Sequence, residues 1–187
     1  MSDTDELSVL AEATRYLLGN LLLVRNTDLS APTPCRDWDL RRLLRHVRAS
    51  LTDVADVLVM RDGEAAGSDP PDPVAALRAG IVDFVLASAS LPTAGRWCEI
   101  QGRTLPAKTV VHVGAIEAAL HAWDIAQACR IDRPIPPDIA SALLWVSPPL
   151  ARAGLAGHVF AEPLRAPATA TPSDRLLALF GRQRARP

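Results

Sequence analysis

Residues 110–126 read VVHVGAIEAALHAWDIA, within a chain of 187 residues. Val110, Val111, Val113, Ile116, Ala118, Ala119, Leu120, Trp123 and Ile125 fall on most sides of a helix that turns once in about 3.6 residues. A helix apolar nearly all round belongs in the middle of a bundle, so any polar residue it directs inward needs a reason. The pattern predicts this helix from about Leu105 to Cys129.

Helical spacing continues on both sides of it. Leu7, Leu10, Leu17, Leu18, Leu21 and Val24 predict a first helix over about 4–25. After a turn with Pro32 and Pro34, Asp39 is a good N-cap for a second helix running to about Met60. Its apolar stripe is Leu40, Leu43, Leu44, Val47, Leu51, Val54 and Leu58. Gly63 to Pro73 reads as a loop, and Val74, Leu77, Ile81, Phe84 and Val85 mark a third helix ending before Pro92. Arg96 to Thr104 suggests an extended excursion across the bundle end. A fifth helix is expected from about Asp138 until Pro148 and Pro149 stop it. Arg152 to Thr171 reads as an irregular Pro- and Ala-rich arm, and Ser173 to Phe180 as a short last helix closed by Gly181. The expectation is an all-α, up-down four-helix bundle over 1–151, with 152–187 an arm and short helix rather than a second domain.

Composition narrows the function classes. Twenty basic residues face 21 acidic ones, a net charge of −1, which argues against a dedicated nucleic-acid binder. Apolar residues at 49% and charged residues at 22% are those of a globular chain. Lys108 is the single lysine, which fits GC-rich codon usage. The N-terminus carries Asp3, Asp5 and Glu6 where a signal peptide would be basic. The run Leu17 to Val24 is far shorter than the roughly 20 residues a membrane span needs. Cys35, Cys98 and Cys129 have no metal-type spacing, so a reduced cytoplasm is expected, with self-association left open.

The polar residues of the central helix carry the chemistry. Glu117 and His121 stand four apart, about 40° from each other on one face. A carboxylate and an imidazole so placed can hold two positions of one cation, although most such pairs are solvated contacts. His46, at the edge of the second helix's stripe beside Ser50, is by itself more simply a core-edge histidine bonded to a carbonyl, but it could also complete a set of three N/O donors. Three such donors leave a position open for water or substrate, as in catalytic zinc sites. Asp124 shares the face of His121 and either orients an imidazole, adds a ligand or makes a structural hydrogen bond. Trp38 and Trp123 either wall a cavity or simply pack. Cys35 lies near the positive start of the second helix, which could lower its pKa, but it reads more simply as a small buried residue, and its ligation to a metal would need the chain to fold back. His112, nine residues before His121, points about 180° away and is rejected as a ligand. His158, in the arm, is read as lightly packed. Arg36, Arg41, Arg42, Arg45 and Arg48 form a solvated basic face that can steer an anion.

Two segments resemble a known family. Thr33 to Val47, TPCRDWDLRRLLRHV, is similar to the T-P-C-x-x-W-x-(V/L)-R-x-L-L-x-H-(V/L) signature of DinB-like metal-binding proteins related to mycothiol-dependent maleylpyruvate isomerase. Glu117 to Ala126, EAALHAWDIA, is similar to the second signature, E-x-x-x-H-x-W-D-(L/I)-A. Phe160 to Leu164 and Asp174 to Arg182 resemble the closing segment of short actinobacterial members. The resemblance implies a DinB-type four-helix bundle holding a divalent metal on His46, Glu117 and His121, zinc first, with nickel, manganese and iron compatible with the same donors. It also implies mycothiol as cosubstrate, activated as thiolate for attack on a small electrophile. Addition to an alkene, bond rotation and elimination would isomerise it; addition alone would transfer the thiol. The isomerase has a further C-terminal domain that 152–187 does not resemble, so metal binding carries over better than that particular isomerisation. Against this enzyme stand a metal- or ligand-binding protein without turnover, and a bundle whose trio is a polar core network.

Overall fold

The computed structural model describes residues 3–61, 70–90, 95–100, 103–156 and 161–184. These residues are mostly helical, with six α-helices and one two-stranded sheet. Two compact units, Met1–Arg133 and Pro134–Pro187, divide the chain.

The first unit holds α1 (Asp3–Leu21), α2 (Leu40–Val59), α3 (Pro73–Ala89) and α4 (Ala107–Ala128), with strands β1 (Trp97–Ile100) and β2 (Arg103–Pro106) before α4. α2 begins where the capping chemistry predicts, the Asp39 side chain accepting from the Arg42 N–H at 2.8 Å. Its predicted stripe is buried throughout, joined by Ala55. α3 is capped by Asp72, which accepts from the N–H groups of Val74 and Ala75, and opens on Pro73. α1 packs on α4, α4 on α2, α2 on α3 and α3 on α1. α4 is buried on nearly every side, as its composition requires. Gly114 lets α4 approach Phe84 of α3, whose ring a Cβ at that position would overlap.

α1 is shorter than the apolar pattern suggests. Asn20 is fully buried, its amide donating to the Ala122 carbonyl of α4 at 2.9 Å and its oxygen accepting from Arg133 at 3.0 Å. Past it the backbone tightens into turns, with Leu23 and Val24 donating three residues back. The excursion before α4 is an antiparallel hairpin with Trp97 opposite Pro106 and Cys98 opposite Leu105, Cys98 facing inward.

The second unit holds α5 (Pro137–Ala156) and α6 (Pro172–Leu179), which pack together. Here the sequence expectation needs correcting. α5 does not stop at Pro148 and Pro149 but continues to Ala156, taking the start of the expected arm with it. Both prolines are exposed, and the carbonyls they leave without donors belong to half-buried Leu144 and exposed Trp145, so water can satisfy them. α6 starts in a capping box between Thr171 and Asp174, slightly before the position expected. Leu164 N–H donates to the Ala178 carbonyl, tying part of the segment before α6 to that helix. Most of the expected loop at 63–73 lies outside the described residues, as does His158. Among the described residues no helix is long and apolar enough to cross a membrane.

Candidate metal centre

The facing sides of α2 and α4 bring the candidate ligands together. Glu117 Oε2 stands 3.3 Å from Nε2 of His121 and 3.5 Å from Nε2 of His46. The two imidazole rings meet edge to face, centroids 5.0 Å apart at 86°. Donors about 2.0–2.2 Å from a tetrahedral ion stand about 3.3–3.6 Å from one another, so these separations fit a shared cation. Ser50, one turn after His46 on α2, donates from its hydroxyl to the same Glu117 oxygen at 3.3 Å. Ser50 was not singled out from the sequence, although its i+4 spacing from His46 places it on that face.

A second layer lies behind His121. Its Nδ1 is 2.8 Å from Oδ2 of Asp124, which is fully buried. Cys35 Sγ donates to the same Asp124 oxygen at 3.4 Å and lies 4.0 Å from Nδ1 of His121. The chain therefore does fold back at Cys35, to the side of His121 turned away from Glu117. Cys35, His121 and Asp124 consequently form a second group of mutually close donor atoms sharing His121. Trp38 meets the His46 ring at 4.8 Å and 63°, with the Arg42 guanidinium 4.9 Å over the indole.

Burial sets the electrostatics. The side chains of Glu117 and His121 are 8% and 6% exposed and that of His46 is 35% exposed, so the cluster opens to solvent at His46. Burial alone would push the Glu117 carboxyl up, but hydrogen bonds to His121 and His46 and their charges hold it well below the usual carboxylate range. Burial likewise opposes a charged His121, yet Asp124, Cys35 and Glu117 raise it well above the ordinary imidazole value. The arrangement favours a carboxylate and a proton that a cation can replace.

The remaining candidates fall elsewhere. Trp123 is buried about 200° round α4 from His121, its indole N–H without a partner among the described residues. His112 is buried on a similar side, Nε2 also without a partner, and burial together with Lys108 lowers its pKa. Of the expected basic face, Arg36, Arg42 and Arg48 are exposed, while Arg41 and Arg45 are half-buried.

Two imidazoles and a carboxylate thus meet between facing helices of a mostly helical chain, the kind of place where side chains from two helices can hold a polar cluster. The family model described as the mycothiol maleylpyruvate isomerase N-terminal domain matches residues 10–126, and the chain belongs to that family. The matched span contains Cys35, Trp38, His46, Ser50, Glu117, His121 and Asp124. No curated protein and no solved structure matches the chain.

Proposed function

We propose that this protein binds one divalent metal ion, zinc first, on His46, Glu117 and His121 of a DinB-type four-helix bundle. We further propose that it acts as a thiol-dependent isomerase or S-transferase, with mycothiol as cosubstrate and a small electrophile as acceptor. One observation carries the metal reading: a buried carboxylate oxygen lies 3.3 and 3.5 Å from the Nε2 atoms of two imidazoles. The cyclic packing of α1, α4, α2 and α3 supports the bundle. Family membership supports the thiol chemistry.

When bound, the cation favours the thiolate of a small thiol, the nucleophilic form. The chain's residues do the rest. Asp124 accepts from Nδ1 of His121 and so presents the Nε2 lone pair to the cluster. Ser50 donates to Glu117 and fixes the carboxylate. His46, the exposed member, sets the side from which thiol and electrophile arrive. The test is turnover of zinc-loaded protein with mycothiol and a cis-configured unsaturated carbonyl compound, watched for cis–trans isomerisation and for the thioether. Either product, absent without the thiol and absent in His121→Ala, is expected. Zinc-loaded protein that makes neither across a range of electrophiles is a binder without turnover.

A further inference from the structure

We propose that Cys35 is a positioning residue for the metal centre, its thiol holding the Asp124 carboxylate against Nδ1 of His121. The inference rests on the metal reading of His46, Glu117 and His121, and concerns the side of His121 turned away from them. A single oxygen, Oδ2 of buried Asp124, meets both Nδ1 of His121 at 2.8 Å and Sγ of Cys35 at 3.4 Å. An ionised carboxylate only accepts, so the imidazole gives it the Nδ1–H and the thiol its S–H. Such an acceptor selects the tautomer whose Nε2 lone pair is directed at Glu117 and His46. Taking the thiol away removes one of the donors from the oxygen that aligns the ring.

The turn that carries Cys35 is fastened at several points. Thr33 Oγ1 accepts from the Cys35 N–H at 3.2 Å and donates to the Trp38 carbonyl at 3.0 Å. The Trp38 N–H donates to the Cys35 carbonyl at 3.1 Å, and Asp37 takes a left-handed φ of 62° to close the loop. The same turn sets Trp38 against His46. One short loop therefore braces both imidazoles, His46 directly and His121 through Asp124. Cys98 and Cys129 have no such relation to the cluster in sequence or fold, lying on β1 and at the end of α4.

The test uses the full chain, stripped of metal, as wild type, Cys35→Ala, Cys35→Val and Cys35→Ser. Each is titrated with zinc against a competing chelator, and with cobalt(II) followed by its ligand-field absorption. Cys35→Ala and Cys35→Val are expected to bind one ion about tenfold more weakly, the lower end of what losing an outer partner of a metal ligand costs, with a shifted cobalt spectrum. Cys35→Ser, whose hydroxyl also donates, is expected to restore most of the affinity. Valine fills the thiol's space without a donor and carries the test if the alanine variant does not fold. Wild-type affinity and spectrum in Cys35→Ala and Cys35→Val overturn the proposal. So does a second cobalt ion bound through sulfur, seen as a thiolate charge-transfer band lost in Cys35→Ser. Wild-type protein that binds no ion defeats the metal reading itself, a result distinct from both.

Discussion

Glu117 is a buried carboxylate, a group that is costly unless paired, and it is held by two imidazoles and the Ser50 hydroxyl. Glu117→Gln keeps the shape and removes the charge. Its zinc affinity is expected to fall by more than the roughly 10–100-fold that losing an outer partner costs, as measured by chelator competition. Ser50→Ala removes one charge-assisted hydrogen bond to that carboxylate, and a loss of about 1.5–3 kcal/mol in binding is expected in the same assay. The Glu117–His121 pair was legible from its i,i+4 spacing, and His46 from the stripe edge of α2. Ser50 carried the same helical signal. Cys35 did not, because its approach depends on a left-handed residue and a threonine clamp in a loop, which helical periodicity does not encode.

Among the elements, α2 and α4 followed from local chemistry: a cap and one stripe for α2, apolar residues all round for α4. α5 did not, since proline's lost hydrogen bond is tolerable where the bend faces water, and exposure is a tertiary property. Replacing Pro148 and Pro149 by alanine is expected to raise the midpoint of thermal unfolding of α5, followed by far-UV circular dichroism. The restored helix bonds outweigh the roughly 0.4–1 kcal/mol that a proline contributes by restricting the unfolded chain. At Gly114 the balance reverses. Gly114→Ala gains about 1 kcal/mol of helix propensity. The added methyl nevertheless meets the Phe84 ring, and overpacking of this kind costs about 1–3 kcal/mol. A net loss in urea denaturation is expected, largely recovered in the double variant Gly114→Ala/Phe84→Leu.

For the whole chain, the two buried histidines act on stability in opposite directions. His112 has a lowered pKa when folded, so the unfolded chain binds its proton first and stability falls as pH drops below about 6.5. His121 has a raised one, so in metal-free protein its contribution is complete below about 6.5 and is lost as pH rises through the folded value. Glu117, held low, contributes fully above the ordinary carboxylate value of about 4.5 and loses that contribution as pH falls from there through its own folded value. Urea midpoints of metal-free protein should therefore peak near pH 6.5, with the acid limb flattened in His112→Leu and the alkaline limb in His121→Ala. A metal-free midpoint that climbs steadily above neutrality contradicts this assignment. A metal held there would reverse the alkaline limb, because Nε2 of His121 would have to lose its proton to take a cation. The metal itself is the decisive quantity, read by elemental analysis and zinc titration of purified full-length wild type, His46→Ala and His121→Ala. One tightly bound ion per chain, lost in both variants, is the expected result. Wild-type protein with no stoichiometric metal, and two alanine variants as stable as it, would mean that His46, Glu117 and His121 are only a polar network in the core.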